Sequence, residues 1–119
     1  MQYVLTLYMN TAAFAARHAD GPAAAEFWAG WRAYGQALEE AGVNVDGSAL
    51  QPPESATTVR VANGARTIHD GPYADTKEQI GGYVLIDVPS LDVALDWAAR
   101  CPAAAYGAVE VRPVLPRPR

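Results

Sequence analysis

The sequence predicts an α+β fold, a ferredoxin-like split β-α-β sandwich with an added β-hairpin. Three observations lead to this prediction. Several runs have the apolar character of strands, two segments have the apolar spacing of packed helices, and an Asn-Gly pair separates two β-prone runs. The expected order is strand, helix, strand, hairpin, strand, helix, strand. A length of 119 residues fits a single domain over 1–119, with a short tail at 115–119.

The first predicted strand covers residues 2–9, and its side chains alternate between two faces. One face carries Tyr3, Leu5, Leu7 and Met9. The other face carries Val4, Thr6 and Tyr8. Both faces are fairly apolar, so we expect both to be covered. The following segment, "NTAAFAARHAD", is predicted to be a loop or a short irregular helix.

The first long helix is predicted to begin at Pro22, because proline suits the first helical position, where its missing N–H is not needed. Gly42 is a plausible left-handed stop. An apolar stripe at helical spacing runs along this helix: Phe27, Trp31, Tyr34 and Leu38, widened by Trp28 and Ala41. Since every packed helix needs such a face, we interpret the stripe as core rather than as a ligand site.

The middle of the chain predicts a short strand over residues 43–50, then a loop at Pro52 and Pro53. The pair Asn63-Gly64 between "TTVRVA" and "ARTIHD" predicts a hairpin, because both turn positions need positive φ.

The second half predicts a central strand over residues 80–88, since its apolar character is nearly continuous. Gly81 and Gly82 at its start mark a bulge or a close backbone approach. Ser90 is a good N-cap for the second long helix, which Pro102 ends.

The last strand is predicted over residues 108–114. By strand parity, one sheet face collects Val4, Thr6, Tyr8, Glu110 and Arg112. This face is too apolar to meet water alone, so we expect a homodimer in which a second sheet covers it.

Composition excludes several functional classes. Half of the residues are hydrophobic and the net charge is −4, with no basic run, so the chain is globular and we expect no nucleic-acid partner. Cys101 is the single cysteine, and we expect a small buried residue, no zinc site and no cofactor. The uncharged first residues have no basic region before their apolar part, so we do not expect a signal peptide. No apolar run is long enough for a membrane span. The cytoplasm is the expected location.

The densest polar cluster lies in "IHDGPYADTKEQIGGYVLIDV", between two predicted strands. Polar loops on the rim of a rigid scaffold often form sites. Lys77 suits an anionic ligand, and carboxylates can accept a proton. The alternative is a loop that only braces itself by a local turn and ion pair. The candidate ligand-binding residues are Asp70, Thr76, Lys77, Glu78, Glu110 and Arg112.

The run "DGPYADTKEQIGGYVLIDVPSLDVALDWAARCPAAAYGAVEVRPV", with "ALQPPESATTVRV" and "QYVLTLY" upstream, resembles the DGPF-type branch of the YCII-related domain proteins. Tyr73 stands where that branch usually has Phe. The resemblance implies a ferredoxin-like fold that pairs into a dimeric α/β barrel. It also implies a bacterial origin and an association with extracytoplasmic-function sigma factors.

The resemblance assigns no reaction to this chain. Some members of the wider family hold a His on the first helix and an Asp in a cleft. In this sequence Trp31 occupies that neighbourhood, whereas His18 precedes the helix and His69 lies in the hairpin, so the pair is not reproduced. No catalytic residue is assigned. Three functions stay open: a small-molecule binder or weak enzyme with its site between the polar loop and the open sheet face, a non-catalytic module that interacts with a sigma factor, and a purely structural dimer.

Overall fold

A computed structural model describes residues 1–118, so Arg119, the last residue of the predicted tail, lies outside the described part. The main elements are β1 (Gln2–Met9), α1 (Thr11–His18), α2 (Pro22–Glu40), β2 (Asn44–Ala49), β3 (Thr57–Ala62), β4 (Ala65–Asp70), β5 (Gln79–Asp87), α3 (Leu91–Arg100), α4 (Ala103–Tyr106) and β6 (Gly107–Pro113). A single 3₁₀ turn over Pro53–Ser55 follows the proline pair.

The main sheet is antiparallel, with the strand order β2-β5-β1-β6. Helix α2 leads from β1 to β2, and β5 lies between these two strands. Helix α3 leads from β5 to β6, with β1 between them. This interleaving is the split β-α-β arrangement, and the predicted α+β class is confirmed.

Strand β1 has the predicted difference between its two faces. Its residues alternate strictly, and the buried ones are Tyr3, Leu5, Leu7 and Met9. Val4, Thr6 and Tyr8 on the opposite face are only half-buried. The core lies between the first face and the helices. Leu5 and Ile86 are fully buried there, and they belong to one cluster with the buried Tyr34, Leu38 and Trp97.

The helix ends follow from the sequence. Pro22 is the first residue of α2, and Gly42 beyond its end has φ +70°. The Ser90 side chain accepts a hydrogen bond from the Val93 N–H at 3.3 Å, as predicted for an N-cap. The segment expected to be a loop or an irregular helix forms α1, because the Asn10 side chain caps it by accepting from the Ala13 N–H at 2.8 Å. The short helix α4 after Pro102 was not predicted.

The glycine pair at the start of β5 forms the predicted bulge. Leu7 pairs with Gly82 while Tyr8 pairs with Ile80, so Gly81 is the additional residue. A Cβ at Gly81 would collide with the Met9 sulfur, and one at Gly82 would lie 2.7 Å from the Ser48 carbonyl oxygen. Both positions therefore require glycine for close packing.

The predicted hairpin is confirmed, and it forms a two-stranded sheet of its own from β3 and β4. Its turn has φ +52° at Asn63 and +76° at Gly64. Every hairpin residue except Thr58 is exposed. A two-stranded hairpin alone is only marginally stable in water, so this element depends strongly on its turn.

We predict that Gly64→Val opens the hairpin locally. A β-branched residue resists positive φ, at a cost of about 1 kcal/mol or more. Because the hairpin shares no ladder with the main sheet, hydrogen exchange of the β3 and β4 amides is expected to accelerate about fivefold or more, with β1 and β5 amides unchanged. Equal acceleration across both sheets, or none, would contradict this prediction.

Several ionisable groups are buried beside the core. Cys101 is only 2% exposed, as predicted for a small buried residue. Burial raises the pKa of its thiol to about 11 and that of Tyr106 to about 12. Burial also raises the pKa of Tyr34, whose hydroxyl donates to the Trp97 carbonyl at 2.8 Å.

We predict that stability falls as the pH rises above 9, the ordinary pKa of a thiol. The unfolded Cys101 then loses its proton while the folded one keeps it, so the unfolded state binds fewer protons and is favoured. For Cys101 this loss amounts to about 1–2 kcal/mol by pH 11. Denaturation by urea at pH 8 and pH 11 measures it, and Cys101→Ser is expected to have the flatter profile. An identical pH dependence in both proteins would refute the assignment to Cys101.

Candidate functional site

A cavity of about 280 Å³ lies between α2 and the sheet at the β2 side. It is named the α2 cavity below, and its main lining residues are Leu7, Arg17, Phe27, Trp28, Trp31, Tyr34, Gly35, Gly47, Gly81 and Val84. The volume lies near the lower end of the roughly 300–1,000 Å³ typical of small-molecule sites. The cavity therefore suits a small ligand, of about the size of one ring.

Aromatic side chains from α2 form one wall of this cavity. Phe27 packs edge-on against Trp28 with ring centroids 5.2 Å apart, and Trp31 packs edge-on against Tyr34 at 6.1 Å. The Trp31 indole N–H donates to the Tyr106 hydroxyl at 2.6 Å. The Trp28 indole N–H donates to the Arg17 carbonyl at 3.2 Å. These hydrogen bonds fix both indole rings, so the wall is preorganised.

Glycines keep the cavity open. Gly35 on α2 has no atom within 4 Å of the place where a Cβ would stand. Gly47 on β2 lies so close to β5 that its Cβ would be 3.0 Å from the Tyr83 carbonyl oxygen. The space of the cavity thus exists partly because Gly35 carries no side chain, while Gly47 allows β2 to lie close to β5.

Arg17, at the end of α1, brings a charge to this apolar space. The residue is 7% exposed, and its Nη1 and Nη2 groups donate to the carbonyls of Gly81 at 3.1 Å and Leu50 at 2.5 Å. No carboxylate within residues 1–118 lies within 4.0 Å of the guanidinium group. Burial lowers the pKa of Arg17, yet a guanidinium group stays charged at neutral pH.

The α2 cavity lacks groups for acid–base chemistry near neutral pH. The described residues that line it include no His, Asp, Glu, Cys or Lys. Its ionisable members are Arg17, Tyr34 and Tyr83, and burial raises the pKa of Tyr34. Since efficient proton transfer needs a pKa near the working pH, the arrangement suits binding better than proton transfer.

The polar loop predicted as a site is largely braced by itself. The Thr76 hydroxyl donates to the Glu78 carbonyl at 2.5 Å. The Gln79 amide donates to the carbonyls of Ala74 at 3.0 Å and Thr76 at 2.8 Å. Asp70 is exposed at the end of β4. The hydrogen bonds of Thr76 and Gln79 support the brace interpretation for this part of the loop.

Lys77 and Glu78 are less constrained. Lys77 is exposed and lines a surface groove with His18 and Glu54. Glu78 is half-buried, and its Oε2 atom has no hydrogen-bond partner among the described residues. Among residues 1–118 Lys77 forms no ion pair, and its exposed position leaves it accessible to an anion from solvent.

Glu110 and Arg112 form an ion pair on the open face of the main sheet. They border a shallow depression with Val4, Thr6 and Tyr8, as strand parity predicted. The hydrogen bond that Arg112 donates to the Glu110 carboxylate raises the pKa of Arg112. The fold thus brings this pair together, but it does not bring Asp70, Thr76, Lys77 or Glu78 into the same depression.

The α2 cavity was not identified from the sequence, because its aromatic stripe was assigned to the core. That assignment is right for Tyr34 and Leu38, which are buried, whereas Phe27 and Trp31 are only half-buried. One sequence signal pointed to Arg17, the first charged residue after sixteen uncharged ones. His18 and His69 are exposed. Within residues 1–118, no cluster of His, Cys, Asp and Glu fits a metal ion, and no helix has the length and apolar character for a membrane crossing.

Comparison with known proteins identifies relatives. The model of the YCII-related domain family matches residues 1–117. The uncharacterized protein R00369 of Rhizobium meliloti (strain 1021) is 46% identical over 67 residues, which are 55% of this chain and 54% of the relative. The match thus spans about half the length of that curated protein.

A solved structure resembles this chain over nearly its whole length. It is 5-chloro-2-hydroxyhydroquinone dehydrochlorinase (TftG) from Burkholderia phenoliruptrix AC1100, in complex with 2,5-dihydroxybenzoquinone. The TM-score is 0.54 and the identity 15%, and the similarity covers 97% of this chain and 94% of the other. At this identity the likeness concerns the fold.

Proposed function

The chain belongs to the YCII-related domain family, and we propose that it is a homodimeric protein that binds a small planar molecule in the α2 cavity. The observation that carries the proposal is the cavity wall, where Phe27, Trp28 and Trp31 present aromatic surface at the edge of the core. Aromatic and apolar linings with a few fixed polar groups are typical of ligand sites.

Binding is favoured over acid–base catalysis. The family neighbourhood that holds a His in some members is occupied by Trp31, whose indole N–H is already bonded to Tyr106. An indole does not transfer protons near neutral pH. TftG, whose fold is similar, was captured with a single-ring quinone, and a ligand of this size fits the volume of the α2 cavity.

We predict that Gly35→Leu blocks ligand binding. The new side chain enters open space in the cavity, and leucine favours a helix over glycine, so the fold is expected to persist. Binding of 2,5-dihydroxybenzoquinone and of other single-ring aromatic compounds is measured by equilibrium dialysis. The dissociation constant is expected to rise at least about tenfold.

Ala33→Leu is the matched control, because Ala33 lies on the exposed side of the same helix. It is expected to bind as the unmodified protein does. Undiminished binding by Gly35→Leu would place the ligand elsewhere and refute the α2 cavity as its site.

The homodimer is supported by the open sheet face. Val4, Tyr8 and Leu85 are half-buried there without cover from the helices. Two such faces packed together, as in the dimeric α/β barrel that the family resemblance implies, would remove this apolar surface from water.

We predict that Val4→Lys converts a dimer into a monomer. A lysine buried between two sheets, opposite Arg112, lacks a free partner for its charge because Glu110 already pairs with Arg112, and such burial costs several kcal/mol. The dimer dissociation constant is expected to rise at least about a hundredfold, as measured by sedimentation equilibrium. Leu95→Lys on the exposed side of α3 is the control and is expected to remain dimeric. A dimeric Val4→Lys protein, or a monomeric unmodified one, would refute this interface.

The polar loop remains a second candidate region for an anion, through Lys77 in its groove and, in a dimer, together with Glu110 and Arg112.

As a second candidate function, an interaction module is favoured by one observation. The hairpin presents Val59, Val61 and Ile68 to solvent at 55%, 69% and 56% exposure. A sigma factor as the partner, a bacterial host and a cytoplasmic location remain proposals from the sequence.

A further inference from the structure

Arg17 is the only charged side chain among the described residues that line the α2 cavity. A buried cation without a carboxylate partner carries a desolvation cost. Its hydrogen bonds to the Gly81 and Leu50 carbonyls offset part of this cost but bring no opposite charge. The cavity is therefore positive at this end, and the rest of its lining is mostly apolar, with Asn44 and Ser48 as polar members.

The guanidinium group has unused donors. Each Nη atom carries a further N–H, and within residues 1–118 the Nε–H has no hydrogen-bond acceptor. The two bound carbonyls and the Phe14 ring, whose centroid lies 5.0 Å from Cζ, hold the group in place. A guanidinium fixed in this way is preorganised for a planar oxygen anion.

We propose that the ligand of the α2 cavity is a single-ring aromatic anion, whose carboxylate or phenolate oxygen binds Arg17 while its ring packs against Phe27, Trp28 and Trp31. This inference rests on the proposed function, because it assigns a chemical class to the ligand of the same cavity. The cavity of about 280 Å³ is large enough for one ring and its carboxylate or phenolate oxygen. The aromatic wall favours a flat ring over a puckered one, since ring stacking adds to apolar burial.

A structural role is the competing explanation for Arg17. In that case it would only join the end of α1 to the carbonyls of Gly81 and Leu50. The two roles differ in one measurable property, because a purely structural Arg17 confers no preference for an anionic ligand.

The test compares benzoate with benzamide, which has nearly the same shape but no charge, by isothermal titration calorimetry on the full-length protein. Cyclohexanecarboxylate serves as the puckered anion. Benzoate is expected to bind at least about tenfold more tightly than benzamide, since hydrogen bonds to charged groups are about twice as strong as neutral ones. It is also expected to bind more tightly than cyclohexanecarboxylate, since ring stacking adds to apolar burial. Equal affinity for benzoate and benzamide would overturn the inference.

Arg17→Gln is expected to bind benzoate and benzamide equally, and Arg17→Lys is expected to keep part of the preference. Where these variants fail to fold, the Arg17 Nε–H resonance of the unmodified protein provides the measurement. It is expected to shift with benzoate and to stay in place with benzamide, and no shift with benzoate would overturn the inference.

Gly35→Leu separates this inference from the proposed function. If both compounds bind equally and both are lost in Gly35→Leu, the α2 cavity is the site but anion recognition is refuted. If benzoate binding survives Gly35→Leu, or if neither compound binds at millimolar concentration, both the cavity site and the anion preference are refuted.

Discussion

Strand β1 pairs with β5 on one side and β6 on the other, and its two-residue period organises the molecule. One face, which includes Leu5 and Leu7, meets the helices and forms the core. The opposite face includes Val4 and Tyr8, and no helix covers it. A register slip of one residue would exchange these faces, so the alternation in β1 determines both where the core forms and which sheet surface is left without a helix over it.

The α2 cavity arises where this sheet and α2 do not meet completely. Burial of Tyr34 and Leu38 holds α2 against the sheet, while Gly35 and Gly47 leave a gap toward β2. The Gly81 bulge also exposes a carbonyl to Arg17, which binds it at 3.1 Å. The Gly81 bulge in β5 thus helps to position the Arg17 charge, which distinguishes this cavity from an ordinary packing defect. For this reason the positive end of the cavity lies beside the bulge.

The fold was predictable because its signals are local. Alternation in β1, Pro22 and Ser90 at helix starts, and Asn63-Gly64 at the turn each act within a few residues. Helix α4 was missed because "AAAY" directly after Pro102 is too short to show a period. The α2 cavity was missed for a different reason. Whether Trp31 fills a core or lines a space depends on Tyr106, Gly47 and Arg17, which come from distant parts of the chain, and spacing within one helix carries no information about them.

The hairpin and the open sheet face both leave apolar side chains without cover. Val59, Val61 and Ile68 lie on one face of the hairpin, while Tyr73 covers Arg60 on the other, with its hydroxyl 3.1 Å from the guanidinium group. Tyr73 therefore already covers part of one side of a two-stranded sheet, and the uncovered side exposes three apolar side chains beside Arg66 and Asp70. The open face of the main sheet also exposes apolar side chains, but it belongs to a well-packed element that is stable through its core. The hairpin has no such core, so a partner surface would stabilise it more than it would the main sheet.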